Sequence, residues 1–250
     1  GSNFYRWLIQ NENLTGIDNL QQLIKFLEKE IPYFVGIYTK IYNASQNLIK
    51  GLEPLYYINK LGFAETISYS LLLAPIVFEE DENTLTKKLF MVSSFLEMFT
   101  VFMAVNSKRY AQSLIKNTLY PLTVKIRNAS VEKLKDILIE EYNNFDYYLD
   151  GINKNKYPND YNPEGIIALE LNGQNRKFIK FLLARITTFI ENQSAIESSF
   201  ENYLNTTQKK PYQIEHLWCD NYELFKDEFK QRDEWLGFRN SVGALILLPE

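Results

Sequence analysis

The chain has 250 residues, which is enough for one or two domains with a sizeable hydrophobic core. Hydrophobic residues make up 46% and charged residues 23%, which is typical of an ordinary globular protein. The formal net charge of −4 excludes a protein that attracts nucleic acid through its overall charge.

Cysteine usage and hydropathy indicate the setting. Cys219 is the single cysteine, so an internal disulfide is excluded, which fits a reducing, cytoplasmic location. The most apolar stretch, 89–105, contains Glu97 and is shorter than the roughly 20 residues that a membrane span needs. It predicts a buried core helix and no membrane contact. Gly1-Ser2 is typical of the remnant of a protease-cleavage site, so we expect the natural protein to begin upstream.

The first predicted helices cover residues 17 to about 51. Pro32 is expected to end the first, because proline cannot continue the hydrogen-bond ladder, and Gly51 is expected to cap the second. The apolar residues of the first helix recur at spacings of three and four and are expected to face the core: Ile17, Leu20, Leu23, Ile24 and Leu27.

Proline and capping residues divide the next part of the chain. A helix is predicted to kink or end near Pro75, and Asn83 or Thr84 is expected to cap the long helix 85–105. The helix predicted over 109–127 contains Pro121 as a kink.

A further helix is predicted to open at Ser130, with Glu132 in its first turn, where the helix dipole favours an anion. The polar stretch 147–165 predicts a long loop, and Asn162-Pro163-Glu164 is typical of a helix start. Six residues of the following amphipathic helix are expected to face inward: Phe178, Phe181, Leu182, Ile186, Phe189 and Ile190.

After Pro211 the pattern changes to two short apolar runs, YQIEHLW and SVGALILLPE, which predict strands on either side of a charged helix or loop. The sequence therefore predicts a mainly α fold. A bundle-like domain with at least six helices occupies 3–206, and a small β element lies within 207–250.

Basic residues are concentrated between 108 and 135. The interpretation that we favour is that these residues form the solvated face of two helices. The alternative is a DNA-binding surface, and five residues would form it: Lys108, Arg109, Lys116, Lys125 and Arg127.

His216 is the only histidine and follows Glu215 at the end of the first predicted strand. An imidazole titrates near neutral pH and can take a proton from water that attacks phosphorus, while a divalent metal stabilises the developing charge. Without other information, a histidine at the surface is the default interpretation. A zinc site with Cys219 is excluded by the absence of a second His or Cys, and Cys219 is expected to be a small buried group.

Two motifs resemble the start of the HNH nuclease module of GmrSD-type modification-dependent restriction endonucleases. YQIEHLW matches the family's I-E/D-H-I pattern, and RNSVGALILLP matches its IGNLxLLP strand. The segments ISYSLLLAPIVF and FIKFLLARITTFIE are similar to the helical region that joins the family's ParB-like domain to its nuclease.

The resemblance implies that His216 is the general base and that Glu215 stands where an acid often binds metal. The family's usual asparagine is absent, because Ala244 takes its place. Asn240 lies nearby, and it is expected to form a turn after Arg239, with replacement of the missing asparagine as a weaker alternative.

The resemblance further implies a DNA endonuclease of a restriction and phage-defence system, acting on modified foreign DNA with Mg²⁺ or Mn²⁺. Its partners would be DNA and an upstream ParB-like domain of the same protein, with homo-oligomerisation left open. Because the family completes its metal site after this strand, 207–250 is expected to be a truncated module, inactive and without tightly bound metal. The alternative is a non-catalytic, all-helical module that binds DNA or protein.

Overall fold

The computed structural model describes residues 6, 10–11, 19–62, 65–106, 112–144, 165–197 and 199–250, with only the backbone described for 65–67 and 112–118. Residues 147–164 of the predicted loop 147–165 and the predicted helix start at Asn162 lie outside these residues, as does Ile17.

The described chain is mainly helical, with a small antiparallel sheet near the C-terminus. The helices are α1 (Leu20–Lys25), α2 (Ile31–Gln46), α3 (Glu53–Lys60), α4 (Glu65–Leu73), α5 (Glu82–Asn106), α6 (Gln112–Lys125), α7 (Val131–Asn143), α8 (Arg176–Gln193), α9 (Phe200–Leu204) and α10 (Arg232–Asn240). The strands are β1 (Tyr212–His216) and β2 (Leu245–Pro249). The predicted fold class is confirmed, and both strands of the described residues lie after Pro211.

The chain forms two compact units. The first contains the described residues within 1–59, 64–94 and 119–139, and the second those within 60–63, 95–118 and 140–250. The boundary predicted between 206 and 207 falls inside the second unit, and the proposed nuclease module stays a prediction.

The helix predicted to end at Pro32 instead continues through it. A π-helical stretch, Phe26–Glu30, joins α1 to α2, and the backbone N–H of Ile31 donates to the carbonyl of Phe26. Pro32 therefore lies in the first turn of α2. The wider turn before it relieves the clash between the proline ring and the preceding carbonyls, which the sequence pattern does not encode.

The predicted burial of two helix faces differs from the structure. It is wrong for the first helix and wrong in part for α8. In the first helix, Leu20 is 71% and Leu27 is 52% exposed. In α8, Phe181 and Leu182 are buried as expected, but the later residues of the same face are exposed: Ile186, Phe189 and Ile190. Helical spacing predicts which residues share a face, whereas burial depends on whether another element covers that face.

The long helix α5 is the one helix of the described chain that is apolar and long enough to cross a membrane, with a mean hydropathy of 1.6 over its best window. A core helix passes the same test. Leu89, Val92, Leu96 and Phe99 of α5 are fully buried within the protein, as a core helix requires.

The residues that begin α5 and α7 differ in how well the sequence predicts them. Asp81, and not Asn83 or Thr84, caps α5, since its Oδ1 accepts the backbone N–H groups of Asn83 at 3.1 Å and Thr84 at 3.0 Å. Hydrogen bonds from Thr84 hold the pKa of the Asp81 carboxyl below its usual value. Ser130 caps α7 as predicted, because its Oγ accepts the backbone N–H of Lys133.

The first unit contains a buried ion pair. The Lys88 side chain is 2% exposed, and its ammonium contacts the Glu80 carboxylate. The same ammonium donates to the Pro75 carbonyl at 2.8 Å. The charge of Lys88 is therefore neutralised and hydrogen-bonded inside the protein, which a buried ammonium requires.

The second unit contains a partly buried ion pair. Arg185 Nε of α8 donates to Glu97 Oε1 of α5 at 2.7 Å. Burial raises the pKa of the Glu97 carboxyl, and the hydrogen bond and charge of Arg185 act in the opposite direction. Burial is the larger influence, so Glu97 holds its proton more tightly in the folded protein than in the unfolded chain.

Replacing Glu80 by alanine should lower the free energy of unfolding by about 3–5 kcal/mol, because the Lys88 ammonium would stay buried without a counter-charge. The matched control is Glu82→Ala, which removes the 73% exposed partner of Lys40 and should cost about 1 kcal/mol or less. Urea denaturation of both variants measures the difference. Equal losses would mean that the Glu80 carboxylate does not stabilise Lys88.

Glu97→Gln should change the pH dependence of stability. Because the folded pKa of Glu97 is raised, its contribution is fully present below the unfolded value of about 4.3 and is lost as pH rises through the folded pKa. The unfolding free energy of the wild type should therefore fall relative to that of Glu97→Gln as pH increases from about 4.3. Urea midpoints across this range test the sign, and a relative rise would mean that Arg185 outweighs burial.

Candidate functional site

The candidate site is built on the hairpin of β1 and β2 in the second unit. The strands pair antiparallel, with Ile214 opposite Leu247 and His216 opposite Leu245. Ile214, Leu245 and Leu247 are buried, whereas Glu215 is exposed. The alternation of side chains along a strand therefore places His216 on the buried face, at the last position of β1.

His216 is half-buried, and its side chain has one hydrogen bond to another described residue. Its Nε2 lies 2.9 Å from Oδ1 of Asn240. Because an amide oxygen only accepts, Nε2 must carry the hydrogen in the neutral ring, and Nδ1 is left with its lone pair. The imidazole is thus oriented and held in a single tautomer by Asn240.

Asn240 is itself fixed through its backbone. It is the last residue of α10, and its carbonyl accepts the N–H of Leu171 at 2.8 Å. Ser241 forms a β-bridge with Glu170, and the N–H of Val242 donates to the carbonyl of Leu169 at 3.2 Å. The segment 169–171 therefore holds the end of α10 in place beside the hairpin.

The role of Asn240 was only partly predictable. The sequence favours a turn after Arg239, and α10 does end at Asn240. Its side chain, however, contacts a residue 24 positions away. The one signal in the sequence is the match between RNSVGALILLP and the family motif, which marks the neighbourhood of Asn240 and not its side-chain partner.

The chain after His216 is anchored to the residues before β2. The N–H of Leu217 donates to the carbonyl of Ala244 at 2.9 Å, and Arg239 Nε donates to the carbonyl of Trp218 at 3.1 Å. Ala244, which stands where the resembled family has asparagine, is buried. Cys219 is exposed, so the prediction of a small buried group is wrong. It follows the anchored Trp218, where the chain runs at the surface.

Glu215 and His216 are neighbours in sequence but lie on opposite faces of β1. Glu215 is exposed opposite Ile246, on the outer face of the hairpin. In the part of the chain that the structure describes, no group of three or more His, Cys, Asp or Glu residues is arranged to hold a metal ion. The metal-binding role of Glu215 stays a prediction.

The basic residues predicted to bind DNA are placed only in part. Lys125 ends α6, and Arg127 follows it in the turn before α7. Both are exposed. Lys108 and Arg109 lie outside the described residues, as does the side chain of Lys116. A shared surface formed by the five residues therefore stays a prediction.

Comparison with known proteins adds no relative: no protein-family model, curated protein or solved structure matches this chain.

The state of His216 can be measured directly, because it is the only histidine. Under alkaline conditions, where an imidazole is neutral, nitrogen NMR should find Nε2 protonated in the wild type. Asn240→Ala should give a mixture of the two tautomers, because the acceptor that selects Nε2–H is removed. The control Asn205→Ala, at an exposed position, should leave the histidine signals unchanged. A single Nδ1-protonated tautomer in the wild type would contradict this assignment.

Proposed function

We propose that residues 207–250 are the first part of an HNH-type DNA endonuclease module, with His216 as the general base. The proposal includes the wider role of a GmrSD-type restriction and defence protein that acts on modified foreign DNA. The observation that carries it is the hydrogen bonding of the His216 ring. Its Nε2 is bound to Asn240 at 2.9 Å at the end of β1, and Nδ1 has no hydrogen bond from the described residues.

The chemistry needs a base with one free nitrogen. Nδ1 of His216 would accept a proton from water, and the resulting hydroxide would attack the phosphorus of a DNA phosphodiester, with departure of one ester oxygen. The positive charge that then develops on the ring is stabilised by the Nε2–H···Oδ1 hydrogen bond to Asn240. Asn240 is therefore a positioning residue, because it acts on the reaction through His216.

The family resemblance calls for Mg²⁺ or Mn²⁺, and the described residues do not by themselves fit such an ion. Mg²⁺ prefers six oxygen ligands in octahedral geometry. Glu215 supplies one carboxylate, on the face of β1 opposite to His216. When bound, a divalent ion would supply charge stabilisation at the phosphate and the leaving oxygen. The described residues alone should therefore bind metal only weakly, and the 250-residue chain is proposed to be inactive, as the family resemblance implies.

The competing proposal is a non-catalytic helical module that binds DNA or protein. Exposed apolar side chains on the helices favour it, since Leu20 and Leu27 in the N-terminal helical region and Phe189 in α8 are all more than half exposed. Contiguous exposed apolar patches are typical of interaction surfaces, and the exposed Leu20, Ile24 and Leu27 recur at intervals of four and three along this helical region. In such a module, the contact between His216 and Asn240 would only stabilise the end of α10.

A cleavage assay separates the two proposals. His216→Ala in the full-length natural protein should lower the rate of DNA cleavage with Mg²⁺ or Mn²⁺ by about 10²–10⁴, which is the usual contribution of a positioned general base. Leu248→Ala, an exposed position on the same hairpin, is the matched control and should retain activity. The 250-residue chain should bind DNA without useful turnover.

Two results would contradict the nuclease proposal. Wild-type cleavage by His216→Ala would reduce this residue to a structural histidine. DNA binding by the full-length protein with no cleavage under either metal would favour the helical binding module. Robust cleavage by the 250-residue chain would instead mean that the active centre is complete and lies elsewhere within it.

A further inference from the structure

A cavity of about 650 Å³ lies in the second unit, between the start of α8 and strand β1. Its volume falls within the range of about 300–1,000 Å³ that is usual for small-molecule sites. We call it the α8–β1 pocket, and it is lined by described residues within 173–180 and 206–214.

Three of the residues that line the pocket are cations, and none is an acid. Lys180 follows Lys177 by three residues and Arg176 by four, which are the intervals that bring side chains together on one side of a helix. None of the three side chains forms an ion pair or a hydrogen bond with another described residue. Burial, together with the nearby positive charge of Arg176, lowers the pKa of the Lys180 amine. Arg176 and Lys180 are thus close enough to repel each other.

The rest of the pocket offers neutral polar groups. Tyr212, Thr206 and Gln174 bring a phenol, a hydroxyl and an amide. Gln213 also lines it, and its Nε2 donates to the Glu250 carboxylate at 3.3 Å. Hydroxyl and amide groups can donate hydrogen bonds to an anion in addition to the charges of α8.

The helix dipole is a second unfavourable influence on two of these cations. Arg176 and Lys177 stand in the first turn of α8, at the positive end of the helix dipole, with no acidic residue in that turn. The side chain of Asn175 does not cap the helix, because its Oδ1 accepts from the N–H of Asn172 and its Nδ2 donates to the carbonyl of Glu170. A bound anion would offset both the repulsion between the cations and their unfavourable interaction with the helix dipole.

We infer that the α8–β1 pocket binds a phosphate group, carried either by a nucleic-acid strand or by a free phosphate compound. Phosphate offers several acceptor oxygens and the negative charge that would offset the three cations. Ile214 lines the pocket and precedes His216 by two residues on β1, which corresponds to about 7 Å along a strand. The inference goes beyond the proposed hydrolysis, because the pocket can bind phosphate whether or not His216 is catalytic.

The test compares the wild type with the triple variant Arg176→Gln, Lys177→Gln, Lys180→Gln. The control triple variant is Lys29→Gln, Lys50→Gln, Lys87→Gln, which makes the same change in net charge at lysines of the first unit. Two probes are used, a fluorescein-labelled DNA duplex followed by anisotropy, and inorganic pyrophosphate followed by calorimetry. Circular dichroism checks that each variant is folded.

If strand phosphates fill the pocket, the pocket variant should bind the duplex at least about tenfold more weakly at low salt. Its salt slope should fall by about 0.9 for each phosphate that the variant no longer neutralises. If free phosphate compounds fill the pocket, the wild type should bind pyrophosphate and the pocket variant should not. The control variant should keep the wild-type response in both arms.

The inference is overturned if the wild type binds neither probe, or if the pocket and control variants respond alike. Should the triple variant fail to fold, Arg176→Gln and Lys177→Gln are made singly, because both side chains are exposed. Each should then weaken binding and lower the salt slope by about 0.9 for the duplex. DNA cleavage is not a readout here, so failure of the nuclease proposal and failure of this one are distinguishable.

Discussion

The antiparallel pairing of β1 with β2 is the constraint on which the geometry around His216 depends. The two strands are separated by 217–244, and their register places His216 opposite Leu245. That register brings the end of β1 to the end of α10, where Asn240 can reach the imidazole. A shift by one residue would exchange the faces of Glu215 and His216 and break this contact, because side chains alternate along a strand. Buried Ile214 and Leu247 oppose such a shift, since it would expose them.

A second level of support comes from the backbone of 169–171, which pairs with 240–242. This segment immediately precedes the turn that opens α8, and the side chain of Asn175 hydrogen-bonds back to the Glu170 carbonyl at 2.8 Å. The same short stretch therefore holds Asn240 on one side and leads into the cations of the α8–β1 pocket on the other. Backbone hydrogen bonds are suited to this task, because they position an element without depending on a particular side chain.

Charge is distributed in this protein in two contrasting ways. Lys88 and Glu97 are buried charges with a partner, Glu80 and Arg185 respectively, as the cost of desolvation demands. The cations at the start of α8 have no such partner among the described residues. A chain with a net charge of −4 can thus hold a local cationic site, since electrostatic recognition depends on local fields more than on the overall charge.

The sequence by itself determined the secondary structure and several of the residues at which helices and strands begin or end. Helical spacing marked the helices, and Ser130 marked the start of α7. The short β-prone run YQIEHLW marked β1 with His216 at its end. These features are local, because they follow from the period of side chains along one element and from hydrogen bonds to the nearest turn.

Only the tertiary structure decided which apolar faces are covered and which polar groups meet. It exposed Leu20 while burying Phe181, continued the helix through Pro32, and joined Asn240 to His216 across 24 residues. It also set the cations of α8 beside β1, although no residue of α8 is predicted from the sequence to bind a ligand. Each of these outcomes depends on contacts between segments far apart in the chain. Such contacts are decided by packing and by strand register, which no local pattern records.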